Sequence, residues 1–461
     1  MNAAIVILFF LAMLLIGILS ARKIGGTVSY FVADRKGTVP VITGSLVATA
    51  VGGSSTIGLA GLGYTRGLVG AWWLLVGVIG LGVLAVWFVE KVRAFEVFTL
   101  PEILERQYGG QAVKIVASLL IVIAWLGIVA AQILAAGKLL SVLLPGHFSL
   151  VTSTAAMVFI LYTILGGQYS ILRTDGIQSV IIICGILLCF FAGISAAGGL
   201  SVMAEQLPRS FFSFPLSAEF GWFDLGSFLI VVGATYLVGP DIYSRIFCTK
   251  DADTARRALF MTALVLMCMA FCITFIGMAA RVLLPEISPE SALPSLIMEI
   301  LPAGLNGMVI AALLAAVMSS ADTVLLTAGT IIVSDIINPL FRSQLGEKRL
   351  LFLTRISIAL VGAAALLIAL TIKGVIASLL LGYTVYSSGL VIPVLFGFYV
   401  EKFRLNFQGV LCSVIGGGCT GLFLKLSGYD KLLFITFPLS ALFLFAGSYI
   451  FPRIIAGRKG R

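Results

Sequence analysis

Thirteen stretches of this chain are apolar over roughly 20 residues, the length a helix needs to cross the hydrocarbon core of a bilayer. They run over 3–20, 38–64, 69–89, 112–142, 149–167, 175–195, 226–247, 258–284, 301–335, 351–371, 374–399, 407–427 and 432–452. Backbone groups in lipid must be satisfied internally, so each stretch is expected as a membrane helix. The composition agrees: 60% of residues are hydrophobic and 11% charged, where a soluble domain carries about 25% charged residues. The expected class is an all-α, polytopic membrane protein forming one membrane domain over 1–461. No segment between the spans is long enough for a soluble catalytic domain.

The charges orient the spans. The net charge is +10, which in such a chain reflects basic cytoplasmic loops and not a nucleic-acid partner. With the N-terminus outside, 23 of the 30 Lys and Arg residues fall on the cytoplasmic side and 7 on the other. Merging or splitting one span would destroy that asymmetry downstream, so the charges support the thirteen spans. Residues 21–37, 248–257, 336–350 and 453–461 are expected in the cytoplasm, and 200–225 and 285–302 outside. The first apolar run has its basic residues after it, the reverse of a secretory signal, and reads as a retained anchor. Thr99-Leu-Pro-Glu102 reads as a capping box that opens a short cytoplasmic helix containing Arg106. None of the seven cysteines forms a C-x-x-C pair, and six lie in apolar runs, so they read as packing residues. His147, the single histidine, sits in a short loop.

The ninth span carries the chemistry. Within Ala311–Asp335 lie Ser319, Ser320, Asp322 and Thr323. An aspartate at the bilayer centre costs about 2.5–3.5 kcal/mol, so Asp322 is expected to face a partner, a cavity or an ion. Hydroxyl and carboxylate oxygens without sulfur or imidazole form a ligand set for hard cations. The second span is interrupted by Gly52-Gly53-Ser54-Ser55, and the seventh by Gly233 and then Gly239-Pro240. Such steps weaken a helix and free backbone carbonyls. Paired interruptions in two halves of a chain point to the binding site of an inverted-repeat transporter. Spans two to six (38–195) and seven to eleven (226–399) would be the halves, with 3–20 as an extra N-terminal helix and 407–452 as two C-terminal ones. Asp175 at the start of the sixth span reads as functional. Asp241 reads as structural, in a local pair with Arg245 four residues on.

At these residues the chain resembles the sodium:solute symporter family, which includes bacterial proline, pantothenate, sialic acid and sugar symporters and the choline transporters. The marks are Phe31-Val-Ala-Asp-Arg35, Gly61-Leu-Gly-Tyr64, Thr99-Leu-Pro-Glu102, Leu165-Gly-Gly167 followed by Thr174-Asp175 and Gln178, Arg245-Ile-Phe, and Ala315-Ala-Val-Met-Ser-Ser-Ala-Asp322. The resemblance implies the five-plus-five inverted-repeat fold with broken first helices. It implies an upper sodium held by carbonyls of Ala48, Val51 and Ala316 and hydroxyls of Ser319 and Ser320. It implies a lower cation near Ser319, Asp322, Thr323 and Asp175, where Asp322 replaces a hydroxyl of the family pattern. It also implies solute contacts from Ser54, Ser55, Trp72, Thr235, Tyr236, Tyr383 and Tyr386. Small or apolar residues replace the polar contacts of sugar-binding members, which argues against a sugar, while Tyr and Trp suit a quaternary amine.

The expected function is sodium-coupled uptake of a small organic solute (amino acid, quaternary amine or carboxylate) by alternating access, with sodium as the co-transported ion. The expected location is a bacterial cytoplasmic membrane. A proton-coupled carrier of the same fold and a non-transporting membrane sensor stay open. A pump is disfavoured because no G-x-x-x-x-G-K-[ST] run is present, and an enzyme because neither G-x-S-x-G nor H-E-x-x-H occurs.

Overall fold

A computed structural model describes residues 2–21, 25–143, 146–341, 345–371 and 374–451. The expected cytoplasmic segment 453–461 lies outside the described residues, as do Arg22, Lys23, Arg342 and Lys373 of the charge tally. The described chain is helical, and its only β pairing is two isolated bridges, Gly37 with Thr249 and Ser217 with Phe220. Among the described residues, ten helices are long and apolar enough to cross a membrane, and Ala4–Ser20 and Val39–Ala50 form shorter apolar helices. Two of the ten contain glycines with positive φ, Gly67 (φ 67) and Gly167 (φ 55). These fall where the sequence separates spans two and three, and five and six. At Gly167 the left-handed backbone favours glycine, and a Cβ would lie 2.6 Å from the Tyr30 ring.

Both expected interruptions are present. The Val39–Ala50 helix stops at Val51 (φ −89, ψ 55), and the chain resumes through a π turn at Ser54–Gly58. In the seventh span a π turn at Leu229–Gly233 leads into Ala234–Val238. Gly239 is then extended (φ −62, ψ 126) before the Pro240–Cys248 helix. The proline belongs at a first helical turn, where its missing N–H is not needed. The stretches leading into and out of the two broken helices are tied together: the Gly37 N–H donates to the Cys248 carbonyl at 2.8 Å.

The Leu305–Ile331 helix is the axis of the bundle. Its membrane-spanning part is fully buried, as expected of a helix that is apolar on every side. It packs against Phe148–Ala196, Gln111–Leu143 and Val39–Ala50. A ring of protein thus surrounds Ser319, Ser320 and Asp322, and none of them faces lipid.

The ends of the bundle are closed by short elements. Thr99 caps Leu100–Tyr108 as the sequence predicts: the Glu102 N–H donates to Thr99 Oγ1 at 3.3 Å, and Phe98 N–H donates to Glu102 Oε2 at 3.2 Å. At the other end, within 285–302, Glu290 pairs with Lys138 and accepts the Val375 N–H at 3.0 Å. It joins three separate parts of the chain there.

Candidate functional site

Two polar clusters lie along the Leu305–Ile331 helix, on the side that meets the second span. In the upper one, Ser319 Oγ donates to the Ala48 carbonyl at 2.8 Å, with the Ala316 carbonyl at 3.0 Å. Ser320 Oγ donates to the Thr49 carbonyl at 2.7 Å, with Ala316 O at 3.2 Å. Ala48, Ala316, Ser319 and Ser320 are therefore in direct contact, and Val51 marks the break three residues beyond Ala48. The approach is close: a Cβ on Gly52 would lie 2.3 Å from Ser320 Oγ. One support was not foreseen. The Gly53 N–H freed by the break donates to Gln132 Oε1 at 2.9 Å, from the middle of the Gln111–Leu143 helix.

The lower cluster is charged and fully buried. Asp175 Oδ2 accepts from Ser45 Oγ at 2.5 Å and from Arg245 Nη2 at 3.1 Å, and both charged side chains are 0% exposed. Arg245 Nε donates to Ser45 Oγ at 3.0 Å, Nη1 to Ser244 Oγ at 3.1 Å, and Nη2 also to Thr49 Oγ1 at 3.2 Å and to Thr323 Oγ1. The expected local pair between Arg245 and Asp241 is corrected: the guanidinium crosses to the sixth span instead. The physical reason is that Ser45, Thr49, Asp175 and Thr323 from neighbouring spans take up the guanidinium, while Asp241, in the first turn of the Pro240–Cys248 helix, lines the cavity. Asp322 Oδ1 accepts from Thr323 Oγ1 at 3.4 Å. Asp322 Oδ2 and Asp175 Oδ1 have no hydrogen-bond partner among the described residues.

A cavity of about 40 Å³ lies against the upper cluster, and Thr49, Gly52 and Ser320 form part of its wall. Of the expected solute contacts, Ser54, Thr235, Tyr236, Tyr383 and Tyr386 line it. Ser55 is buried off its wall. Trp72 lies elsewhere, with its indole N–H on the Pro215 carbonyl at 2.8 Å and its ring stacked on Phe214. Trp125, Gln132 and Asp241 are among the wall residues that were not foreseen. A glutamine in the middle of an apolar run was a readable signal for Gln132. A tryptophan in such a run carries none.

Membrane helices broken in pairs, and a small polar cavity sharing a wall with a cluster of hard oxygen ligands, define a secondary carrier. The chain belongs to the sodium:solute symporter family, whose sequence model matches residues 30–417. That family consists of sodium-coupled transporters and not enzymes. The chain is 29% identical over 473 residues to sodium/glucose cotransporter 4 of Danio rerio, covering 91% of this chain and 71% of that one. It is 27% identical over 402 residues to sodium/myo-inositol cotransporter 2 of Oryctolagus cuniculus, covering 78% of this chain and 59% of that one. Among solved structures, it matches a substrate-bound, outward-open Na+-coupled sialic acid symporter with a TM-score of 0.83 at 20% identity, over 98% of both chains. A nucleobase-cation-symport-1 family transporter matches with a TM-score of 0.63 at 13% identity, over 92% of this chain and 95% of that one. These two likenesses establish the inverted-repeat transporter fold that the paired interruptions predict.

Proposed function

We propose that this protein is a secondary active symporter that couples inward sodium movement to uptake of a small organic solute by alternating access. The observation that carries the reading is the shared wall. Thr49 and Ser320 belong both to the upper oxygen cluster and to the cavity, so an ion that draws the second span onto the ninth also shapes the solute site. Sodium at the upper site would take the carbonyls of Ala48, Val51 and Ala316 and the hydroxyls of Ser319 and Ser320. The serine hydrogens, which point at carbonyls without an ion, would turn away to offer lone pairs. Each charge moved inward gains about 2.3 kcal/mol per 100 mV, which sets the scale of uphill transport one sodium supports.

The lower cluster of Ser319, Asp322, Thr323 and Asp175 is assigned as a second pocket for a monovalent cation. A proton-coupled cycle draws support from the same place, because two buried carboxylate oxygens there lack partners and closely spaced carboxylates share a proton readily. The basic loops 248–257 and 336–350 are assigned to the cytoplasm and 200–225 and 285–302 to the outside, in a bacterial cytoplasmic membrane. Ser54, Thr235, Tyr236, Tyr383 and Tyr386 are the proposed solute contacts. The proposed solute is an amino acid, a quaternary amine or a carboxylate.

The test is a thermal-shift screen of the purified protein in detergent, with and without sodium. The panel is amino acids, betaine, choline, carboxylates, glucose and myo-inositol. A ligand that binds only the folded state raises stability by mass action, and a true substrate does so more in sodium. Hits then go to uptake in proteoliposomes under an imposed sodium or proton gradient. Uptake that ignores sodium and follows the proton gradient selects the alternative cycle.

A further inference from the structure

The buried Arg245 has no role in the reading above, yet its guanidinium touches groups from four spans. Ser45 and Thr49 come from the second, Asp175 from the sixth, Thr323 from the ninth and Ser244 from its own. We infer that Arg245 sets the valence of the lower cation pocket, holding it to a single positive charge. The inference rests on the assignment of that pocket as a cation site.

The argument is one of charge. Asp175, Asp322 and Arg245 are each 0% exposed, and buried charge is tolerated only when it is compensated. Two carboxylates with nearby hydroxyls form, by themselves, a ligand set suited to a hard divalent cation such as calcium. The guanidinium cancels one of the two negative charges through Asp175 Oδ2. It also takes up the hydroxyls of Ser45, Thr49 and Thr323. Asp241 also lies within the field of Arg245 but faces the cavity and not the pocket. Among the pocket's own three groups, what remains is one net negative charge and two carboxylate oxygens without partners, Asp175 Oδ1 and Asp322 Oδ2. One sodium brings the cluster to neutrality. A calcium ion would leave it with an uncompensated positive charge in a site with no water-facing atom on either carboxylate or the guanidinium.

Each change to that balance has a defined consequence. Removing the Asp322 charge leaves Asp175 and Arg245 neutral together, and the pocket then has no call for a cation. Removing Arg245 as well restores one net negative charge. Removing Arg245 alone leaves two.

The test counts ions on the purified full chain, using sodium-22 and calcium-45 as probes at pH 8 without solute. The wild type is expected to bind two sodium ions and no calcium. Asp322→Asn is expected to bind one sodium. Adding Arg245→Met to Asp322→Asn is expected to restore the second. Arg245→Met alone is expected to gain calcium binding, and Arg245→Lys, which keeps the charge, to stay without it. The upper-site sodium, lost on Ser320→Ala, which leaves Ser319 of the lower pocket in place, serves as the folding control in every variant.

A wild type that binds calcium as well as sodium overturns the inference. So does a count of one sodium unchanged by Asp322→Asn, or a double variant that keeps its upper sodium without regaining the second. A wild type with no serine-dependent sodium overturns the symporter reading instead, and the calcium comparison still judges the pocket's valence.

Discussion

The two clusters on the Leu305–Ile331 helix solve the same problem with opposite chemistry. The upper one is built from the carbonyls of Ala48, Thr49 and Ala316 and the hydroxyls of Ser319 and Ser320, with no formal charge. The lower one gathers two carboxylates and a guanidinium, all fully buried. A neutral cage offers an ion only dipoles, so the ion can leave once the helices part, and the membrane potential can drive it. A charged cluster must stay balanced whatever its occupant. On the proposed function, coupling falls to the upper cluster, which shares a wall with the cavity, and charge selectivity to the lower one.

The largest expected effect breaks the upper cluster alone. Gly52→Ala places a methyl 2.3 Å from Ser320 Oγ, a contact that forces the second span off the ninth. Sodium-driven uptake should vanish, and sodium-dependent stabilisation should fall to what the lower pocket alone supplies. Calcium should remain without effect, because the lower cluster does not touch Gly52. Retained sodium-driven uptake in that variant would show that the two helices need not meet there.

Gln132→Ala should act more mildly on the same cluster. It leaves the Gly53 N–H, now held at 2.9 Å, buried and unpaired, at a cost of about 1–3 kcal/mol. The sodium concentration for half-maximal stabilisation should rise, and Gln132→Glu, which keeps an acceptor, should recover part of it. A variant indistinguishable from wild type would mean that the break supports itself.

What the sequence made legible follows from cost. Serines and an aspartate inside an otherwise apolar span are expensive in lipid, so Ser319, Ser320 and Asp322 announced themselves. The interruptions at Gly52-Gly53 and Gly239-Pro240 did so for the same reason. Proximity in sequence favours Asp241, four residues back, as the partner of Arg245, whereas the observed partner Asp175 lies 70 residues away. A pairing across three helices leaves no local pattern. Asp241 was read as structural on the same false pairing, and the fold turns it to the cavity wall. The family resemblance implies Trp72 as a solute contact. The 200–225 segment instead supplies Phe214 and Pro215 to cover it, and a loop's path over the surface is not encoded in spacing.

The smallest expected effect calibrates the others. Thr99→Ala removes the cap of Leu100–Tyr108, remote from both clusters, and should lower stability by about 1 kcal/mol. Its sodium and calcium responses should match those of the wild type. A shift in sodium affinity there would mean that general loosening of the bundle, and not the local chemistry of the upper cluster, sets ion binding.

The central claim is that sodium joins the second span to the ninth through the two serine hydroxyls. It is tested most directly by titrating sodium against the melting temperature of Ser319→Ala/Ser320→Ala beside wild type, with potassium as the ionic-strength control. The account predicts that sodium raises the wild-type melting temperature and potassium does not. In the double variant the half-maximal sodium concentration should rise by about tenfold or more, the factor that 1.4 kcal/mol represents, with the protein still folded. A double variant that follows the wild-type sodium curve would contradict it.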